Sequence, residues 1–214
     1  MKTRDKILLT SLTLFNEEGE PNVSTIDIAN ELDISPGNLY YHFKGKGLII
    51  NALYSGFEHE LVDILNAPLE KTLNTEDSWF YLYVVFEHIY KFRFFYQNLS
   101  DILQRDKKVE RRFMHLLQQK YQTANTLLAL LVESGVLQIT DDALDEVCEN
   151  ITIILTHWLT HTRFRNMPDS EVLAIHRGVF QVMSLVSPYL SESYKFIYQE
   201  CRDLYQTLLT QSQN

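Results

Sequence analysis

Five residues in one short stretch, Gly37, Asn38, Tyr40, Tyr41 and His42, combine an amide, two phenols and an imidazole with a glycine. Such side chains pack poorly in a core but suit a DNA groove, where polar groups meet phosphates and an amide can reach a base edge. Their placement follows from the string around them, which begins Ser24-Thr25-Ile26-Asp27-Ile28-Ala29 and ends at Lys46. Ser24 caps a first short helix, and Asp27, three residues on, completes a box-like pair at the positive end of the helix dipole. Ile28, Ala29 and Leu32 share its buried face. Asp33-Ile34-Ser35 makes a turn. Ser35 then caps a second helix, and Pro36 takes its first position, where a missing N–H costs nothing. Leu39 and Phe43, four apart, anchor that helix and leave Gly37, Asn38, Tyr40, Tyr41 and His42 pointing outward. The pattern is a helix-turn-helix. On spacing alone, a helical hairpin in an ordinary all-α domain stays open as the alternative.

Further pieces fall around this core: Arg4-Asp5-Lys6-Ile7-Leu8, Leu14-Phe15 and Gly19 before it, and Lys46 with Leu48-Ile49 after it. Together with Asp27-Ile28-Ala29 and the run from Ile34 to Phe43, they resemble the TetR family of bacterial transcriptional regulators. The resemblance implies phosphate and base contacts at Ser24, Ser35, Gly37, Asn38, Tyr40, Tyr41, His42 and Lys46, and Thr25, Pro36 and Lys44 join them as candidate DNA-binding residues. Three positions depart from the family pattern. Ile26 stands where a polar or basic residue is frequent, so a phosphate contact there is not carried over. Asp33 replaces a small residue in the turn, and Asp tolerates the left-handed region better than most. Gly47 replaces an acidic residue at the start of the next helix and removes a cap contribution.

Charge is the obvious objection. With 28 acidic and 19 basic residues the chain carries a net −9, which is not the footprint of a basic nucleic-acid-binding protein. Residues 1–50 hold five Lys/Arg against seven Asp/Glu. Their distribution answers the objection. No acid lies between Ile34 and Lys46, Lys44 and Lys46 flank the reading helix, and Lys2, Arg4 and Lys6 open the first helix. The acids Glu17, Glu18, Glu20, Asp27, Glu31 and Asp33 lie in the preceding helices and loop. Few phosphates are neutralised per subunit, so a modest salt dependence is expected, and a second subunit doubles it.

At 214 residues and 45% apolar content, with seven Gly and five Pro, the chain buries a sizeable core and is read as all-α. Cys148 and Cys201 form no framework, and a reduced, cytoplasmic setting suits them. No apolar run approaches membrane-span length. Helical periodicity extends over 46–65, 75–95, 97–104, 106–134, 141–165, 170–186 and 191–210, with Pro68, Pro168 and Pro188 in the gaps. The expected organisation is a helix-turn-helix three-helix DNA-binding domain over 1–46, a connecting helix over 47–66, and a helical regulatory domain for ligand binding and dimerisation over 67–214.

Residues 81–96 are unusually aromatic, and Trp79, Tyr83, Phe86 and Tyr90 fall on one helix face. Core packing is one reading of that face. The other is an apolar ligand cavity with polar tips, to which His115 and Trp158 are added; the resemblance implies such a cavity and a small-molecule effector. The stripes of 141–165 and 170–186 are candidates for self-association through Cys148, Ile151, Leu155, Val179, Val182 and Met183, with an intramolecular core as the other reading, and the family resemblance implies a homodimer. His157 and His161, four apart, have a metal-capable spacing without a third ligand at the right distance, so no metal and no cofactor are expected. There is no phosphate-binding glycine loop, nucleophile elbow or paired-cysteine motif, hence no catalytic residue and no expected enzyme activity. The resulting expectation is a DNA-binding transcriptional regulator, a repressor released from a palindromic operator by a small, largely apolar ligand. The alternative is a protein of the same fold that organises the chromosome or blocks a partner assembly.

Overall fold

The computed structural model describes residues 1–67, 75–165 and 170–211. Among the described residues there are eleven α-helices and no strand, only an isolated antiparallel bridge between Leu137 and Leu190. The fold is all-α, as the periodicity indicates. Pro68 and Pro168 lie outside the described residues.

Two compact units divide the chain, residues 1–61 with 92–114 and residues 62–91 with 115–214. This differs from the linear division into 1–46, 47–66 and 67–214. Phe92, Phe94, Phe95, Tyr96 and Phe113 are buried, and they return their segment to the first unit.

In the first unit, α1 (Thr3–Leu14) continues through a π-helical turn, Phe15–Gly19, into a 3-10 turn, Glu20–Asn22. Gly19 sits at φ 86°, a left-handed conformation that costs a glycine little. Helices α2 (Thr25–Glu31) and α3 (Pro36–His42) follow, then α4 (Lys46–Leu65). Ile7, Phe15, Ile28, Ala29, Leu39, Phe43 and Ile49 form the core under these helices. Further along α4, Tyr54 and Phe57 meet rings from the returning segment: Tyr54 lies 4.9 Å from Phe95, and Phe57 lies 5.3 Å from Phe92. Tilted aromatic pairs at such separations add about 0.5–1.5 kcal/mol each beyond their buried area.

The helix expected over 75–95 instead stops early. Helix α5 covers Thr75–Lys91, Phe92 leaves helical geometry at φ −111°, ψ 34°, and α6 (Arg93–Gln97) begins after it. One helix face cannot bury Phe92, Phe94, Phe95 and Tyr96 together, because successive residues are 100° apart around the axis. The break at Phe92 frees that ring from the register of Phe94, Phe95 and Tyr96, and all four are buried. Helix α7 (Leu99–Arg105) and the first turns of α8 (Lys107–Glu133) complete this unit.

The second unit contains α5, most of α8, α9 (Asp141–Phe164), α10 (Glu171–Val186) and α11 (Phe196–Gln211). Thr140 and Ser170 cap α9 and α10 by accepting from Ala143 N and Leu173 N at 3.4 and 3.3 Å. Helix α10 packs against α5, α9 and α11, and Gly178 lets the Phe86 ring of α5 lie flush on its backbone. After α8, Gly135 turns the chain at φ 75°. The following strand-like residues pair with the chain beyond α10: Gln138 N donates to Tyr189 O at 2.8 Å and Ser191 N to Val136 O at 3.0 Å.

Candidate DNA-reading helix and ligand cavity

Local hydrogen bonds set the helix-turn-helix. Ser24 Oγ accepts from Ile26 N and Asp27 N at 3.2 and 3.3 Å, while Asp27 Oδ2 accepts from Ser24 N and Ser24 Oγ at 2.8 and 2.7 Å. Those bonds hold the Asp27 carboxyl below its ordinary range. Asp33 takes φ 53° and closes the turn, with its N–H donating to Asn30 O at 3.0 Å. Ser35 Oγ then accepts from Asn38 N at 3.2 Å, with Pro36 in the first turn. Leu39 and Phe43 are buried, while Tyr40 and Tyr41 are 60% and 82% exposed. Ser24, Ser35, Pro36, Gly37, Asn38 and Lys44 are also exposed, and Thr25 and His42 are half-buried. The His42 ring stands edge-on to Tyr41 at 5.2 Å. Two large phenols left in solvent on a rigidly capped short helix form a surface suited to a groove rather than to a core. Arg4 stacks over the Phe43 ring at 5.0 Å, which ties the basic start of α1 to the end of this helix.

Lys46 departs from the expected outward position. Its Nζ donates to Glu20 O and Val23 O at 2.9 and 3.0 Å and lies 3.0 Å from Glu20 Oε1. An ammonium has three donors, and these contacts occupy all of them. The Glu20 side chain is fully buried and also accepts a forked pair from Arg105 at 2.7 and 3.3 Å. Burial alone would raise the Glu20 pKa, but the hydrogen bonds and charges of Arg105 and Lys46 outweigh it and hold the carboxyl below its usual range. Lys46 thus locks the start of α4 to the loop after α1. Sequence reasoning missed Glu20 and Arg105 because their pairing spans 85 positions and has no local signal.

The second unit holds a partly open cavity of about 130 Å³ with an almost wholly apolar lining that includes Leu65, Leu82, Leu127, Leu131, Ile151 and Met183. None of Trp79, Tyr83, Phe86, Tyr90, His115 or Trp158 lines it. Trp79 Nε1 donates to His176 Nδ1 at 3.2 Å, the Tyr83 ring lies 5.0 Å from His176, and Trp158 Nε1 donates to Ala174 O at 3.0 Å. Phe86 packs on Gly178; Tyr90 is half-buried and His115 exposed. The aromatic face of α5 therefore packs on α10, and the adjacent face, Ser78, Tyr81, Leu82 and Val85, meets the cavity. Lys120 also lines it and is only 1% exposed. Its position was legible: α8 buries Val109, Phe113, Leu116, Lys120, Ala124 and Leu128, so a lysine interrupts an apolar stripe.

The residues expected at a dimer interface are also placed differently. Cys148, Ile151, Leu155, Val179 and Val182 are buried within their own chain, and Met183 faces the cavity. Apolar residues that do remain exposed on α9 and α10 are Ile153, Phe164 and Val172. Among the described residues, no group of three or more His, Cys, Asp or Glu could hold a metal ion, and no helix is long and apolar enough to cross a membrane.

Two family models match the chain. One, described as "Bacterial regulatory proteins, tetR family", covers residues 7–53, and the other, "Bacterial transcriptional repressor", covers residues 56–198, more than half of the chain. The chain belongs to the TetR family of bacterial transcriptional regulators. It is 35% identical to a TetR-family regulator from Marinobacter aquaeolei VT8 of known structure, over 96% of this chain and 99% of that one, with a TM-score of 0.86. A second TetR-family structure, from Rhodococcus RHA1, shares the fold at a TM-score of 0.66 and 15% identity, over 90% of this chain and all of that one. Among curated proteins, the "Probable HTH-type transcriptional regulator YttP" of Bacillus subtilis is 23% identical over 159 residues, 74% of this chain and 72% of that protein. TetR-family membership makes the protein a DNA-binding transcriptional regulator rather than an enzyme.

Proposed function

We propose that this TetR-family chain is a homodimeric repressor that holds a palindromic operator through α3 and releases it when a small, largely apolar effector fills the cavity of the second unit. The observation that carries the reading is α3 itself: a helix capped by Ser35 whose buried face is Leu39 and Phe43 and whose outer face is Gly37, Asn38, Tyr40 and Tyr41. Asn38 contacts a base edge, Tyr40, Tyr41 and His42 contact phosphate or base, and Ser24, Thr25, Ser35 and Lys44 contact the backbone on either side. Lys46 supports this surface from behind. The dimer forms through the outer faces of α9 and α10, where Ile153, Phe164 and Val172 stay exposed.

The route from effector to operator is α4. That helix is unbroken from Lys46, locked to Glu20, to Leu65, a residue of the cavity wall. An effector with different affinities for the DNA-bound and released states supplies the coupling, typically about 1–3 kcal/mol.

Sequencing the genomic DNA retained by the purified protein tests the reading. The expected result is a few discrete intervals, each containing an inverted repeat whose half-site centres lie about one DNA turn, or a multiple of it, apart. Retention spread evenly over the genome would favour chromosome organisation instead, and a footprint of one monomer on a single half-site would remove the dimeric mode.

A further inference from the structure

Four side chains in the cavity wall carry nitrogen or oxygen: Ser78, Tyr81, Lys120 and Thr123. Two of them are already engaged within the protein. Lys120 has an interaction partner in the chain, so its ammonium calls for no anion, and Thr123 Oγ1 donates to Leu65 O at 3.5 Å. The Tyr81 hydroxyl is different. Its oxygen is buried and has no hydrogen-bond partner among the described residues, a costly state for a group that can both donate and accept. Burial pushes its pKa up to about 12, so it stays a neutral O–H donor near neutral pH. Ser78 lies one turn before Tyr81 on the same face of α5 and adds only a second hydroxyl. The rest of the wall is hydrocarbon, from Leu82 and Val85 on α5 to Leu127 and Leu131 on α8 and Ile151 and Leu155 on α9. The cavity measures about 130 Å³. For comparison, an apolar protein cavity of about 150 Å³ stays dry and takes benzene.

We infer that this cavity takes a compact, uncharged molecule, about one substituted ring in size, whose single carbonyl or hydroxyl oxygen accepts from the Tyr81 hydroxyl. The volume sets the size, and the aliphatic wall sets the apolar body. The polar group follows from what the wall can offer. Hydroxyls supply hydrogen bonds but no net charge, and Lys120 is engaged elsewhere, so an ionic ligand would leave water for hydrocarbon without a counter-charge. A pure hydrocarbon of the same shape fits the body but leaves the Tyr81 donor unbonded. The inference names the effector class for the reading above and rests on it.

Acetophenone, cumene, benzoate and benzamidinium share a phenyl ring and a heavy-atom count and differ in the polar group, so calorimetric titration of the full-length protein with each isolates that group. Acetophenone is expected to bind, and more tightly than benzoate or benzamidinium by about tenfold or more. Cumene tests the apolar body alone and should bind without regard to Tyr81. Tyr81→Phe should therefore weaken acetophenone by about three- to tenfold, the range of one neutral hydrogen bond, and leave cumene within about twofold. Ser78→Ala and Thr123→Val should leave both ligands within about twofold. Tyr81→Phe deletes a buried oxygen that has no partner among the described residues, so the ligand-free variant should melt no lower than the parent, which far-UV circular dichroism checks. An acetophenone affinity unchanged in Tyr81→Phe, an equal loss for acetophenone and cumene, or a loss that falls on Ser78→Ala or Thr123→Val instead overturns the inference. So does tighter binding of benzoate or benzamidinium than of acetophenone, or no binding of acetophenone. Operator retention in the same titrations separates the two proposals. Tyr81-dependent binding of acetophenone that leaves the operator bound keeps the ligand class and removes the effector role. Release of the operator by benzoate or benzamidinium, with acetophenone inert, does the reverse.

Discussion

Replacing Glu20 by Gln removes one buried negative charge and little else in shape. The Glu20 side chain is fully buried, and its partners Lys46 and Arg105 are 24% and 46% exposed. Breaking a buried ion pair by removing one partner costs about 3–5 kcal/mol. Here both cations reach water and can be resolvated, so a loss of about 2–3 kcal/mol is expected, together with the unfavourable meeting of a glutamine NH2 with lysine or guanidinium donors. For a chain of this size each kcal/mol moves the melting temperature by roughly 2–4 °C, so a drop of about 5–10 °C follows. The pH dependence checks the cause. The folded-state pKa of Glu20 lies below its ordinary value of 4.5, so its contribution is fully present above that value and lost as pH falls through the folded-state pKa. The gap between parent and variant should be widest near neutrality and close in acid. Far-UV circular dichroism reports both units, whereas tryptophan fluorescence reports the second alone, because Trp79 and Trp158 both lie there. Identical melts at pH 7, or a gap that does not shrink in acid, would refute the assignment of Glu20 as the anchor of α4.

Three further outcomes are expected. Gly178→Ala places a Cβ 2.6 Å from a Phe86 ring atom, and Phe86 is buried, so overpacking should cost about 1–3 kcal/mol in a denaturation followed by tryptophan fluorescence. Ser35→Ala removes the acceptor for Asn38 N and should cost about 1 kcal/mol of stability while weakening DNA retention measured by mobility shift. Lys120→Met should flatten the dependence of stability on pH. The folded-state pKa of this lysine falls from 10.5 to about 7, so the unfolded chain binds the extra proton between those values and parent stability rises with pH across that window. Urea titrations at pH 6.5, 8 and 9.5 should show a flatter profile in the variant.

The helix-turn-helix was legible because its determinants are local. The Ser24–Asp27 box, the left-handed Asp33, the Ser35 cap with Pro36, and the Leu39/Phe43 anchor each act over no more than four residues. The second unit was less legible because a helical stripe says which residues share a face but not what that face meets. Trp79, Tyr83 and Phe86 do share a face, yet it packs on His176 and Gly178 of α10, and the neighbouring face carrying Tyr81 lines the cavity. The same ambiguity placed Ile151, Leu155 and Val182 at an interface between copies when they are buried in their own chain. In the sequence Glu20 is one of several acids of the helices and loop before the reading helix. Its role depends on Arg105, which reaches it only because the aromatic segment after α5 folds back into the first unit.

The central claim is that the exposed face of α3 reads the operator, and the most direct test is binding of Asn38→Ala and Tyr41→Ala to operator and to unrelated DNA across a salt series. Asn38→Ala should reduce the preference for operator over unrelated DNA by about 5–150-fold, the 1–3 kcal/mol of one base-edge contact. Tyr41→Ala should weaken binding to both while helicity is retained. Unchanged affinity and preference in both variants would contradict the account.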